Sequence, residues 1–388
     1  MVKASYTPAI GEQFNSIWKR QLEYNGYDLK FFTPKSHFQN DIALQSSYYA
    51  INGVGKNNNY RDLIKFPKDK LLMGDSGGFQ IATFAKQNKF CDLDPLSVLR
   101  WLEANCDIGM NLDVPTTLGP EQPTNEQFKK AMNQSMFNFE FFQKNRNPES
   151  KLKLYNVLHG ENLEHMNLWY QNASKYKFEG WAIGVKPPYD AMSQALGAMF
   201  LWEKGELNDC YGLHFFGTSG KHVVPTITYL AHKFKKKMVV SYDSSSYNIG
   251  SIYRTYYMPF ELGKSLSFGD KFARANPEIE TLPCMCPVCQ SITDVKILNG
   301  GDIYAGGLIS LHNMYQYINY NNLLNSIVPN SECFKAYLKD IQISDRTLTS
   351  FDFIDFAFER GVAKAVEKYK GHFNVVKEQV KQTGIWGF

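Results

Sequence analysis

From residue 71 onward, short apolar runs alternate with longer stretches of helical spacing. The apolar runs fall at 71–74, 108–112, 152–158, 181–185, 213–216 and 238–242, and helical spacing is clear at 95–105, 125–144 and 191–204. Strand, helix, strand in this rhythm predicts a parallel sheet. Residues 1–60 read only as short apolar pieces between polar turns. After 243 the rhythm breaks into a segment, 244–302, rich in Tyr, Ser, Gly and Pro. Regular pattern returns at 303–311. From about Ser350 the tail is expected to be helical, with Phe351, Ile354, Phe358, Val362, Ala365, Val366 and Tyr369 on one apolar face packed against the rest.

The downstream ends of the runs carry polar chemistry. They lead into Asp75, Asp113, His159-Gly160, Gly184-Val185-Lys186, Gly217-Thr218-Ser219-Gly220 and Asp243. In a (β/α)8 barrel every strand end and its loop can contribute to one site. An open doubly wound sheet would gather them at a single crevice. The closed barrel accommodates carboxylates from several strands more naturally, so an α/β (β/α)8 TIM barrel is expected.

The first of these ends is the most informative. Leu71-Leu72-Met73-Gly74 delivers Asp75-Ser76-Gly77-Gly78-Phe79-Gln80: a carboxylate, a glycine turn, then an aromatic ring and an amide. Glycines let backbone amides approach a ligand closely, and Phe79 offers a face for a ring to stack on. Taken alone, the stretch also fits a tight turn with Asp75 as a helix N-cap.

Composition narrows the class. The chain has 388 residues, 44% of them hydrophobic, enough for one large core, and 15% aromatic with 23 Tyr and 28 Phe. A net charge of +4 does not require a nucleic-acid partner but allows one where the cations cluster. No apolar run reaches the length of a membrane span, and Met1-Val2-Lys3-Ala4-Ser5-Tyr6 lacks the apolar core of a signal peptide. A cytoplasmic protein with no membrane partner is expected.

Cys284-Met-Cys286-Pro-Val-Cys289 is a Cys-x-Cys-x-x-Cys knuckle, followed by His312. Three thiolates and one imidazole make a closed tetrahedral set, the signature of structural rather than catalytic Zn2+. Buried free cysteines are the plainer alternative. Cys91, Cys106, Cys210 and Cys333 are expected in the core. The chain is thus expected to form a single catalytic barrel domain over 1–388, with a zinc-binding subdomain inserted at 270–325.

Together these motifs resemble the guanine transglycosylase family, enzymes that exchange a guanine in a polynucleotide for a 7-deazaguanine base. The matching pieces run in order: Asp75-Ser-Gly-Gly-Phe-Gln80, Asp107-Ile-Gly-Met-Asn-Leu-Asp113, Val157-Leu-His159-Gly160, Gly180-Trp-Ala-Ile-Gly184-Val185, His214-Phe-Phe-Gly217, Tyr242-Asp243, the knuckle and Leu311-His312-Asn313. The resemblance implies that Asp243 is the nucleophile at C1′ of the target nucleotide. It implies that Asp75 handles the proton of the departing or incoming base and that Asp113 reads the guanine edge. Gly184 and Val185 would offer backbone groups to the base, Phe79 and Phe216 would stack on it, and Ser76, Gln80 and His159 complete the base-binding set. The chemistry is consistent. The Watson–Crick edge of guanine presents N–H donors that suit a carboxylate. Exchange through a covalent sugar needs one nucleophilic carboxylate and a second group for protons.

The sequence also departs from that pattern. Where tRNA-acting members carry Pro-Thr-Arg after the nucleophile, this chain reads Asp243-Ser-Ser-Ser-Tyr-Asn-Ile-Gly250-Ser-Ile-Tyr-Arg254. His159 stands where many members have Gln; a histidine simply packed at a strand end is the plainer reading of it. These departures resemble the DNA-acting branch, including short phage-encoded forms of the DpdA type. The expected activity is therefore exchange of guanine in DNA for a free 7-deazaguanine of the preQ0 type, in a phage-infected host cytoplasm if phage-encoded. The alternatives are a divergent tRNA-guanine transglycosylase of queuosine or archaeosine type, or a non-catalytic accessory subunit. Lys186 and Arg254 are the expected contacts to the nucleic-acid backbone, and a homodimer is possible.

Overall fold

The computed structural model describes residues 2–48, 59–78, 80, 83, 94–116, 123–185, 190–234, 237–259, 264–269 and 279–374. Eight parallel strands form the centre: β1 Ala4–Pro8, β2 Ile42–Ser46, β3 Leu71–Asp75, β4 Ile108–Met110, β5 Lys153–Leu158, β6 Gly180–Ile183, β7 Gly212–Phe215 and β8 Val239–Ser244. From β2 to β8 each strand pairs with its neighbour in sequence, and β1 pairs with β8. A parallel bridge between Ala9 and Leu44, with the Ile10 N–H donating to Leu44 O at 2.7 Å, draws β1 to β2 and nearly closes the ring. This is the expected TIM-like α/β barrel.

The two N-terminal strands escape the hydrophobic pattern for a physical reason. In β1, Ser5 and Thr7 are paired with Ser241 and Asp243, so its polar positions line the barrel interior. Thr7 Oγ1 and Ser241 Oγ both approach the Met73 sulfur, at 3.9 and 3.8 Å. In β2 all five residues, Gln45 and Ser46 included, are buried. A strand whose lining is polar does not advertise itself by apolar alternation.

Helices cover the outside and are capped as the sequence allows. Asp94 accepts the Ser97 N–H ahead of helix Pro95–Asn105, and Thr124 with Gln127 forms a reciprocal capping box on Asn125–Asn145. Helix Ala191–Glu203 is buried along nearly its whole length because the tail helix Asp345–Arg360 packs across it. The expected apolar face of the tail is divided between two helices, Asp345–Arg360 and Val362–Lys368, which meet at Gly361 with φ +90°. Phe351, Ile354, Val362 and Ala365 on that face are buried.

Helix Ile303–Ile327 joins the expected subdomain to the barrel. At its far end Asn325 brackets Ala4, donating to Ala4 O at 2.8 Å and accepting the Ala4 N–H at 3.0 Å. Tyr242 OH donates to Asn321 Oδ1 at 3.0 Å. Its near half bears His312. Among the described residues no helix is long and apolar enough to cross a membrane.

Candidate active site

Parallel register carries residues of one face around the barrel at similar heights. Ser46 pairs with Asp75, His214 with Ser241 and Ala182, and Asp243 with Thr7. The C-terminal rim therefore collects Asp75 from β3, Asp113 from the loop after β4, His159 from the end of β5, His214 from β7 and Asp243 from β8.

The carboxylates are unequal. Asp243 Oδ1 accepts the Gly217 N–H at 2.8 Å and lies 3.2 Å from His214 Nε2. Gly217 holds φ +60°, the left-handed conformation that glycine adopts without strain. The opposite ring nitrogen, His214 Nδ1, is 2.9 Å from Ser241 Oγ. Asp113 Oδ2 lies 2.7 Å from His159 Nε2. The His159 ring sits edge-on to Trp169 with centroids 4.6 Å apart.

Asp75 has no imidazole partner among the described residues. Ser46 and the Gly77 N–H bond to it and favour its charged form, yet burial outweighs them. With the charges of Asp113 and then Asp243 adding to it, burial pushes the carboxyl up to about 7. Two carboxylates are thus clamped by buried histidines, and the third is poised to hold or release a proton near neutrality.

The remaining expected residues fall into several groups. Ser76 is buried with its hydroxyl donating to Asn111 O at 3.2 Å, so it ties the β3 and β4 loops together. Gln80 Oε1 lies 3.4 Å from Ser46 Oγ, where it competes with Asp75 for the one hydroxyl proton. The Gly184 N–H donates to Leu158 O at 2.9 Å within the barrel ladder, so it is not an open donor for a base. A Cβ on Gly184 would fall 2.5 Å from His159 Cε1; the glycine makes room for the histidine. Val185 is buried against helix Ala191–Glu203. Phe216 stands edge-on to His214, centroids 5.1 Å apart. Phe79 and Lys186 lie outside the described residues.

Arg254 differs from the expectation of a phosphate contact. Its Nε, Nη1 and Nη2 donate to the carbonyls of Gly300, Ser251 and Asp302 at 3.1, 3.0 and 3.2 Å. The side chain links the end of helix Ser246–Ile252 to the N-terminus of helix Ile303–Ile327, with three of its donors already engaged.

Cys284, Cys286, Cys289 and His312 bring four ligand atoms within 4.8 Å of one another. His312 Nδ1 faces the sulfurs of Cys286 and Cys289 at 3.4 and 3.3 Å, while Nε2 lies 2.8 Å from Tyr257 O. That outer hydrogen bond reserves Nδ1 for an ion. Tyr256 stacks flat on His312 at 3.7 Å and places its hydroxyl 3.1 Å from Cys289 Sγ; Gln316 Nε2 reaches Cys284 Sγ at 3.4 Å. The donor set could hold a metal such as zinc, with no ligand position left open.

The motifs include His214 and Gly217 without giving either a role, and they pass over Ser241 and Ser46. Period-two alternation held the signal for two of them. His214 shares a face with Phe216, as Ser241 does with Asp243.

No family model matches the chain. It is 22% identical over 344 residues to a protein of Methanococcus aeolicus named tRNA-guanine(15) transglycosylase. The alignment covers 84% of this chain and 48% of that protein, so the chain spans about half the length of the curated relative it matches. What the comparison establishes is a distant similarity to a guanine transglycosylase, the same family that the ordered motifs resemble.

Proposed function

We propose that the chain is a guanine transglycosylase that exchanges a guanine in a polynucleotide for a free 7-deazaguanine base. The observation that carries this reading is the division of labour among the carboxylates: Asp243 is hydrogen-bonded by Gly217 and His214, whereas Asp75 is held near neutrality.

An Asp243 lone pair attacks C1′ of the target nucleotide, and the C1′–N9 bond breaks with its electron pair leaving on guanine. The Asp75 carboxyl gives its proton to the departing base. The incoming base then loses its N9 proton to Asp75 and attacks C1′, and the ester breaks to restore the Asp243 carboxylate. One glycosidic bond is lost and one is made, so atoms and charge balance. Asp113, oriented by His159, accepts N–H donors from the base edge. The target base has to leave its stack to reach a site at the barrel rim. Zinc bound by Cys284, Cys286, Cys289 and His312 would hold the fold of 284–312 together and takes no part in these steps.

The polynucleotide is proposed to be tRNA. The matched relative is named for tRNA, and nothing in that comparison supports the DNA reading expected from the sequence. DNA is kept as a second reading on one observation. The segment after the nucleophile folds as a short helix, Ser246–Ile252, in place of a Pro-Thr-Arg element. The test supplies radiolabelled guanine with either tRNA or duplex DNA. Label in tRNA supports the proposal, and label in DNA alone overturns the choice of substrate. Label in neither overturns catalysis and leaves a binding protein.

A further inference from the structure

We propose that His214 is the positioning residue of the covalent step, with Oδ2 of Asp243 as the oxygen that bonds C1′; the inference rests on the transglycosylase reading and deepens it. His214 is fully buried and sits between two side chains of the neighbouring strand. Its Nδ1 is 2.9 Å from Ser241 Oγ and its Nε2 is 3.2 Å from Asp243 Oδ1. The Ser241 hydroxyl has one proton and two acceptors in reach, a ring nitrogen at 2.9 Å and the Met73 thioether at 3.8 Å. Nitrogen is the stronger acceptor and the nearer. Ser241 therefore donates to Nδ1, which places the imidazole proton on Nε2, facing the carboxylate.

Two consequences follow from that tautomer. A neutral ring that donates through Nε2 orients Asp243 without cancelling the negative charge that attacks. With the opposite tautomer, a nitrogen lone pair would face the carboxylate and push it out of line. The second consequence concerns which oxygen reacts. Among the described residues both donors to the Asp243 carboxylate, His214 Nε2 and the Gly217 N–H, fall on Oδ1. Oδ2 keeps its lone pairs for C1′. As the C1′–Oδ2 bond forms, the C1′–N9 bond breaks, its electrons leave with the base, and Oδ1 becomes the ester carbonyl oxygen, still held by the same two donors.

The test measures single-turnover formation of the covalent protein–polynucleotide complex and, separately, KM for the free base. Wild type is compared with His214→Ala, His214→Gln, Ser241→Ala and the double variant His214→Gln/Ser241→Ala. His214→Ala is expected to slow covalent trapping about 100-fold, the scale of a misplaced reacting group, with KM for the base little changed. His214→Gln, whose amide can still donate to Oδ1, recovers most of the rate. Ser241→Ala slows trapping about 10-fold in wild type, as loss of an outer orienting partner does, but adds nothing in the His214→Gln background, where there is no tautomer to set. Unchanged trapping by His214→Ala overturns the proposal, as does an equal Ser241→Ala loss in both backgrounds, which would make the histidine a space-filler. If His214→Ala does not fold, the Ser241→Ala comparison in the two backgrounds decides alone. A wild type that labels no polynucleotide overturns the transglycosylase reading itself and this proposal with it, whereas failure of the variants in a labelling wild type overturns only the role of His214.

Discussion

His159 Nε2 lies 2.7 Å from Asp113 Oδ2, and both side chains are buried at the barrel rim. A carboxylate held through one oxygen presents the other in a defined direction. His159→Ala removes that orientation and leaves Asp113 without its charge-assisted partner. KM for the free base is expected to rise by about 10-fold, the scale of one lost hydrogen bond to a charged group, with covalent trapping of the polynucleotide less affected. A KM equal to that of wild type would show that Asp113 does not need the histidine.

Gly184 reaches the same pair from the other side. Its absent Cβ would lie 2.5 Å from His159 Cε1, closer than two carbons can approach. Gly184→Ala is therefore expected to displace His159 from Asp113 and raise the base KM as His159→Ala does. Combining the two substitutions should add little, because both act through one contact.

Asp75 makes stability depend on pH. Its carboxyl loses its proton near 3.8 in the unfolded chain and near 7 in the fold. Between these values the folded protein binds the extra proton, so stability is greatest below about pH 4 as far as this group is concerned. It falls as pH rises to about 7 and is level above. Asp75→Asn lacks this slope, and its advantage over wild type should grow across that window to at most about 4 kcal/mol. Denaturant midpoints at pH 5 and pH 8 measure it. The variant should also lose base exchange, having no proton to transfer.

Asp243→Ala is expected to abolish covalent trapping while leaving the fold intact, since its partners His214 and Gly217 lose only an acceptor at the rim. A denaturing gel of protein incubated with the polynucleotide reads this directly. A trapped complex from the variant would remove Asp243 from the nucleophile role.

Chelation or Cys286→Ser is expected to lower the melting temperature and release zinc, measurable by metal analysis. Tyr256 and Tyr257 touch the cluster through His312 and Cys289, so their fluorescence should change together with metal loss. Chemistry at Asp243 should decline only as the fold does. A wild type that is stable and free of metal would contradict the zinc assignment.

The strands from Leu71 onward are legible in the sequence, because their apolar runs stop at polar or glycine residues. Local spacing also marks Cys284, Cys286 and Cys289 as candidate ligands, to which the fold adds His312 in a set that could hold a metal, and Asp75, Asp113 and Asp243 stand out as candidates because they lie at or beyond strand ends. The rest follows from how the chain packs. Ser5 and Thr7 make β1 unreadable as an apolar run, and only the register shows that they face the barrel interior. His159 meets Asp113 across 46 positions and His214 meets Asp243 across 29; pairings at that separation depend on which strands lie side by side. Arg254 fits a nucleic-acid backbone contact in the sequence, whereas in the fold its guanidinium donates to the carbonyls of nearby Ser251 and of the distant Gly300 and Asp302. Asp75 shows the reason most clearly. Its motif is local, but its proton affinity comes from burial and from Asp113 and Asp243, and those exist only once the barrel has closed around them.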